Sequence, residues 1–245
     1  MTRQTRTHRL GTQRRWLALP AAGLILLTAS CGFFADAGAQ TTQQRTINGV
    51  TAVRLLTSGD LSITVGENES LTVTAGSNQL TGLTSQVIDG TLILDNKAAA
   101  VANSHISYAL TVPPLASLEL SGSGNANGVG VLTGDAQVSA TGSGEVSLSG
   151  LDLSSVVVDL SGSGNVQLAG TATSQHVTIS GSGRYAASDL VSQQAQVQVS
   201  GSGDAQVNVT GQLTATVSGS GNITYSGNPT QVDRESSGSG EISAG

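Results

Sequence analysis

The stretch Val156 to Gly170 reads V-V-V-D-L-S-G-S-G-N-V-Q-L-A-G. Every second residue from Val156 (Val156, Val158, Leu160, Gly162, Gly164, Val166, Leu168, Gly170) is apolar or glycine, and Asp159, Ser161, Ser163, Asn165 and Gln167 between them are polar. Such period-2 alternation marks a β-strand with one buried face, and it runs through the Gly-Ser-Gly without losing phase. Both glycines therefore fall on the buried side, which predicts a corner too tight for inward side chains.

The unit recurs. Gly-Ser-Gly starts at Gly122, Gly142, Gly162, Gly181, Gly201, Gly219 and Gly238, in steps of 18 to 20 residues. The phase holds around each copy, as in Val197 and Val199 before one and Ala205, Val207 and Val209 after it. A flexible linker of similar composition would carry no phased valines, whereas a repeat of this length is the mark of a solenoid or propeller. Aromatic residues make up only 2% of the chain, so the core is thin and aliphatic, which suits a narrow solenoid better than a sandwich. The expected fold is all-β: a β-solenoid, in the form of a right-handed β-helix of about 20-residue coils, with a less regular β cap at its N-terminal side. The structural corner glycines are Gly122, Gly124, Gly142, Gly144, Gly162, Gly164, Gly181, Gly183, Gly201, Gly203, Gly219 and Gly221.

Met1 to Trp16 carries five arginines and no acid, and Leu17 to Ala29 is apolar and short for a membrane span. That pairing reads as an export signal. Two processing sites compete. Thr28-Ala29-Ser30-Cys31 resembles a lipobox, departing from it at Thr28, and would lipidate Cys31; Ala37-Gly38-Ala39 is a small-x-small site that would release a chain starting at Gln40. The position of the lone cysteine directly after the apolar run favours lipidation and a lipid-anchored envelope protein, at the outer membrane or surface, over a periplasmic or secreted one. Residues 32–44 read as a tether and 45–245 as one domain. The leader removes five of the ten basic residues and none of the sixteen acids, leaving a net charge of −11. A chain so acidic, with no basic stripe, is not built for nucleic acid.

Residues 45–117 are less regular. Val53, Leu55, Leu61, Ile63 and Val65 alternate around Thr57-Ser58-Gly59-Asp60, a degenerate copy of the Gly-Ser-Gly-Asp at Gly201 to Asp204, and read as the first coil. Asp89-Gly90 predicts a hairpin turn, and Pro113-Pro114 ends the strand containing Tyr108 and Leu110. The segment is expected to cap the solenoid, because stacked coils need an end cover.

The residues that follow the corners (Asn125, Glu145, Asn165, Arg184, Asp204, Asn222 and Glu241) would stack in a column. A calcium repeat would place carboxylates at every rung; amides alternating with isolated charges read instead as a structural ladder. His105 and His176 have no ligand partner at metal spacing. No nucleophile elbow, phosphate loop or cofactor motif is present. The outward residues at the corners form a polar face: Ser121, Ser123, Ser143, Ser161, Ser163, Ser180, Ser182, Ser200, Ser202, Ser218 and Ser220. It is either a solvated β surface or a contact face for a glycan or another surface protein. A β-helical polysaccharide-degrading enzyme would need paired acids, bases and sugar-stacking aromatics, and a purely structural envelope role is the third alternative. The last coil, ending at Glu241 to Gly245, shows no cap and offers an open edge to a partner or a second copy.

The V-x-L-x-x-S-G-D-L-x-I at Val53 to Ile63, the V-x-D-G-x-L-I at Val87 to Ile93, the Val112-Pro113-Pro114-Leu115 that feeds Leu118 to Gly124, and the later Ser-Gly-Ser-Gly copies together resemble the bacterial auto-transporter adhesin head GIN domain family over residues 45–245. The resemblance implies a β-helical, secreted or surface-anchored domain, an adhesin, and no catalytic residues.

Overall fold

The computed structural model describes residues 37–97 and 105–245. Its elements run β1 (Gln40–Arg45), β2 (Ala52–Leu55), β3 (Asp60–Val65), β4 (Ser70–Gly76), the one-turn helix α1 (Ser77–Leu80), β5 (Leu83–Ile88), β6 (Thr91–Asn96), β7 (Ser107–Val112), β8 (Leu115–Leu120) and β9 (Ala126–Val129). The regular half follows as β10 (Leu132–Ala140), β11 (Glu145–Leu160), β12 (Asn165–Ile179), β13 (Arg184–Val199), β14 (Asp204–Val217), β15 (Ile223–Ser226), β16 (Gln231–Ser236) and β17 (Ile242–Ala244).

All the strands join one continuous sheet wound into stacked coils, a β-solenoid. Coils pair in parallel so that equivalent residues stack: Val146, Val166, Tyr185, Ala205 and Ile223 form one inward column, and Val158, Val177, Val197 and Ala215 another. Every one of these side chains is buried. Alternation alone puts them there, and burial of each valine or leucine is worth about 1.5–3 kcal/mol.

The corner glycines are required by stacking as well as by inward crowding, which is seen where a Cβ on Gly183, Gly203 or Gly221 would meet the buried side chains of Leu160, Ile179 or Val199. A Cβ on Gly162 would strike the carbonyl oxygen of Gly142 in the preceding coil, and one on Gly164 would strike that of Gly144. This carbonyl clash lies along the stacking direction. The same carbonyls are hydrogen-bond acceptors: Gly142 O takes the N–H groups of Ser163 at 3.1 Å and Gly164 at 3.2 Å. The pattern repeats from Gly181 O to Ser202 and Gly203, and from Gly201 O to Ser220 and Gly221. A side chain would hold the coils apart and break both bonds.

Coils differ in length, and the corners opposite absorb the difference. Leu148 pairs with Leu168, twenty residues on, but Leu151 pairs with Gly170, nineteen on. Likewise Ala187 pairs with Val207 and Val191 with Asn208. Across Gly-Ser-Gly the spacing is constant, since Ile179 pairs with Val199 and Arg184 with Asp204.

The N-terminal half is threaded out of chain order. The coil made by β2 and β3 lies between two later ones: β6 and β7 pair with it on one side, β8 and β9 on the other. The degenerate Thr57-Ser58-Gly59 sits in register under Gly122-Ser123-Gly124, where Cβ atoms on Gly122 and Gly124 would meet the carbonyls of Thr57 and Gly59. Thus 52–65 is the first coil in sequence and the second in the stack. Antiparallel strands β4 on β7, β5 on β6 and β1 on β4 then cover the end. Asp89 and Gly90, at φ 49° and 78°, make the tight turn between β5 and β6. The expected tether is shorter than 32–44, because Gln40–Arg45 forms β1 and Arg45 fixes it with bonds to Ser85 Oγ at 2.8 Å and Leu80 O at 3.3 Å. Contact with the fold begins earlier still: Ala37 O and Ala39 O accept the N–H groups of Asn78 and Ser77.

Beside the buried Thr57–Tyr108 contact of the first coil, the core of the regular half carries a polar cluster. Tyr185 donates to Gln175 Oε1 at 3.0 Å, Gln175 Nε2 donates to Ser192 Oγ at 2.7 Å, and Ser192 donates to Asn208 O at 3.0 Å. All three side chains are buried. At the C-terminal end, register places Arg234 of β16 over Ala215, at an inward position of the last coil, where it is exposed.

Candidate functional site

Because odd and even positions face opposite ways, the outer wall consists of columns running along the stack. The serines of the predicted contact face form two of them. They occupy the bends between strands, so Ser161 and Ser163 lie between β11 and β12 and Ser200 and Ser202 between β13 and β14. The result is a ridge at a corner instead of a flat face. All are exposed except the half-buried Ser121. Ser121 donates to Glu119 Oε1 at 2.9 Å and Ser200 to Ile179 O at 3.3 Å. The hydroxyls of Ser123, Ser143, Ser161, Ser163, Ser180, Ser182, Ser202, Ser218 and Ser220 make no hydrogen bond to other described residues.

The column after the ridge is tied to itself at its two ends. Asn125 Nδ2 donates to Asp60 Oδ1 at 2.8 Å, and its own Oδ1 accepts the Glu145 N–H at 3.1 Å. Asn222 Nδ2 donates to Asp204 Oδ1 at 3.0 Å and accepts from the Glu241 N–H at 3.1 Å. Arg184 lies 3.8 Å from Asp204. These coil-to-coil bonds make ladders at the two ends of the column, the first taking in Asp60 of the degenerate first copy, whereas the side chains of Glu145 and Asn165 between them make no hydrogen bond to other described residues.

The wall before the ridge holds a concavity. Register skips Ser154 and Thr173, where the coil turns, and just beyond lies a groove of about 390 Å³. One side is the column Ser155, Ser174, Gln194 and Gln212; the other is Val157, His176, Gln196 and Thr214. Val156, Gln175 and Ala195 form its floor, their side chains turned into the core. No single coil shows this feature in the sequence; the glutamines gather only when the coils stack.

Titratable groups are scattered. Asp135 accepts from Ser155 Oγ at 2.7 Å and Asp152 from Thr171 Oγ1 at 3.1 Å, while Asp159 stacks between Ser139 and Thr178. His105 is 3.9 Å from Asp60, with both side chains well exposed. Among the described residues no three His, Cys, Asp or Glu side chains converge. The shortest ion pair among the described residues is Arg54 with Glu119, at 2.8 Å. Burial alone would raise the Glu119 carboxyl, but hydrogen bonds from Arg54 and Ser121 and the Arg54 charge hold it below the usual carboxylate range. The pair joins β2 to β8, a structural role. Cys31 and the Thr28 to Cys31 lipobox lie outside the described residues.

No curated protein matches the chain. Among solved structures it is similar to a "putative adhesin" from Bacteroides fragilis NCTC 9343, at 25% identity and a TM-score of 0.80, over 84% of this chain and 97% of that one. A "putative lipid binding protein" from Parabacteroides distasonis ATCC 8503 shares the fold at 24% identity and a TM-score of 0.68, over 85% and 97% of the two chains. A "putative adhesin" from Parabacteroides merdae ATCC 43184 does so at 24% identity and a TM-score of 0.60, over 85% and 97%. The family model described as "Putative auto-transporter adhesin, head GIN domain" matches residues 50–229, and the chain belongs to that family.

Proposed function

We propose that the protein is a non-catalytic binding module of the cell envelope, an adhesin exported by its leader and held to the membrane by lipid on Cys31. The observation that carries the reading is the outer wall. Polar side chains recur in register on successive coils about 4.8 Å apart, and the carboxylates among them are separated by hydroxyls and amides. Glycoside hydrolysis, the chemistry of β-helical polysaccharide-degrading enzymes, uses two such groups brought together. A repeating array of hydroxyls and amides is suited to many weak simultaneous contacts. The serine ridge is the face assigned to a protein or glycan on another surface, because most of its hydroxyls are exposed and unshared.

The test is binding of the purified protein to cells and immobilised surface material, wild type against Ser161→Asp/Ser180→Asp/Ser200→Asp. Binding by the wild type and its loss in the triple variant is the expected result. Turnover of an acidic polysaccharide, abolished by Asp135→Asn, Asp152→Asn or Asp159→Asn, would overturn the non-catalytic reading.

A further inference from the structure

We propose that the groove between the Ser155 and Val157 columns is a second, separate binding site, and that it takes an extended, uncharged glycan strand lying along the solenoid axis. The proposal rests on the reading of the chain as a binding module but not on the serine ridge.

Four observations converge on it. The groove crosses four coils, from Ser155 through Ser174 and Gln194 to Gln212, so it is about 14 Å long at the usual spacing between strands. That suits a linear chain better than a compact ligand. Secondly, none of the lining residues is Asp, Glu, Lys or Arg, in a chain holding sixteen acids. A site that excludes fixed charge gives nothing to a charged polymer and spares a neutral one any desolvated ion.

Thirdly, the polar groups are free. The amides of Gln194, Gln196 and Gln212 make no hydrogen bond to other described residues, whereas Asn125 and Asn222 of the column after the ridge bond from coil to coil. Each amide offers two donors and an acceptor, the set that matches vicinal hydroxyls, which both give and accept. Fourthly, the floor is rigid. Gln175 beneath it is locked in the Tyr185–Ser192 cluster, so the amides stand on a wall that needs no reordering to bind. Val157 leaves an apolar surface, 37% exposed, for the C–H face of a ring. A sugar unit in an extended chain advances by nearly one coil spacing, so successive units would meet equivalent groups on successive coils.

The experiment is calorimetric titration of the purified full chain with cellobiose, cellotetraose and chitotetraose, and with tetragalacturonate as the charged probe. A neutral tetrasaccharide should bind at least about tenfold more tightly than cellobiose, because contacts on one rigid array add. Gln194→Ala/Gln212→Ala should weaken that binding about tenfold, the loss of two hydrogen bonds, with thermal unfolding unchanged since both side chains are exposed. Gln198→Ala, outside the groove, should leave it intact. Failure of both neutral tetrasaccharides, equal binding of tetragalacturonate, or indifference to the double substitution would each overturn the proposal. Ser161→Asp/Ser180→Asp/Ser200→Asp should leave oligosaccharide binding unchanged. Loss of cell binding in that variant alone would separate the ridge from the groove.

Discussion

The phenol of Tyr185 donates a hydrogen bond to Gln175 Oε1 across 3.0 Å of solvent-free core, joining one coil to the one before it. Both residues occupy inward phase, where neighbouring coils carry Val166 and Ala205 in one column and Val156 and Ala195 in the other. A buried amide is tolerated here because its oxygen and nitrogen both have partners.

Tyr185→Phe should therefore lower stability by about 1–3 kcal/mol, since Gln175 Oε1 would be buried without a donor. Adding Gln175→Leu should recover part of that loss, because Ser192 keeps its bond to Asn208 O. Urea midpoints of the two single variants and the double variant measure the effect. Recovery absent from the double variant would mean that the cluster contributes by packing.

Burial also raises the Tyr185 phenol well above its ordinary value of 10.0. The unfolded chain releases this proton at a lower pH than the folded one, so it binds fewer protons above pH 10 and stability falls as pH climbs. The contribution is whole below the ordinary value and lost progressively above it. Alkaline unfolding followed by circular dichroism should shift to higher pH in Tyr185→Phe, measured relative to that variant's own neutral stability.

Gly162→Val and Ser163→Val should differ sharply. The first drives a side chain into the Gly142 carbonyl, which also serves two N–H groups, and should cost more than about 4 kcal/mol, the range of severe core defects. The second adds a side chain to an exposed ridge and should stay within about 0.5 kcal/mol. Thermal melts of the two proteins suffice, and equal effects would refute the stacking account of the corner.

Insertion of one glycine after Asp189 should be mild, about 1 kcal/mol or less by loop-closure arguments, because register is already broken between Ala187 and Val191. The same insertion after Val197 would turn Val199 outward and shift every later contact. Soluble yield and melting temperature distinguish the two.

The β16 edge bears on self-association. Pairing two copies antiparallel with their cores aligned must match inward residues with inward ones. The registers centred on Asp233, Arg234 or Glu235, which pair the most residues of β16, place Asp233 against Asp233, Arg234 against Arg234 with Asp233 against Glu235, or Glu235 against Glu235, and like charges directly opposite repel. Arg234→Val/Glu235→Thr should therefore raise the dimer fraction in sedimentation, while the wild type stays monomeric. A wild-type dimer would show that this edge is not guarded by charge.

Cys31→Ala should move the protein from the membrane fraction to the soluble one. A mature N-terminus at Gln40, found by mass spectrometry, would instead assign cleavage after Ala39. That cut would remove Ala37 and Ala39 carbonyls that accept from Asn78 and Ser77.

Alternation and repeat length were enough to read the coils, because each inward side chain obeys a local rule that depends only on its neighbours two residues away. The Asp89-Gly90 turn was legible for the same reason. The placement of 52–65 between two later coils was not, since Val53 would satisfy alternation equally well beside Leu92, Leu118 or both. Gln175 and Ser192 carried a signal that could have been followed: each is polar at a position whose phase is inward. The groove had none in any single coil. Gln194 and Gln212 are ordinary outward glutamines until stacking sets them side by side, and how the wall curves depends on bends that alternation does not record.

If the protein is held through Cys31 and grips a partner, as proposed, the threading of the first coil sets how it answers a pull from its N-terminal side. Tension entering at β1 peels an edge strand one hydrogen bond at a time, but the next regular coil it reaches is clasped between β6 with β7 and β8 with β9. To draw out Val53 or Leu61, the load must shear two ladders together instead of unzipping one. The N-terminal end of the stack is thereby built as a mechanical stop: a pull from that side reaches the regular coils through a coil held on both faces instead of through a strand that peels away.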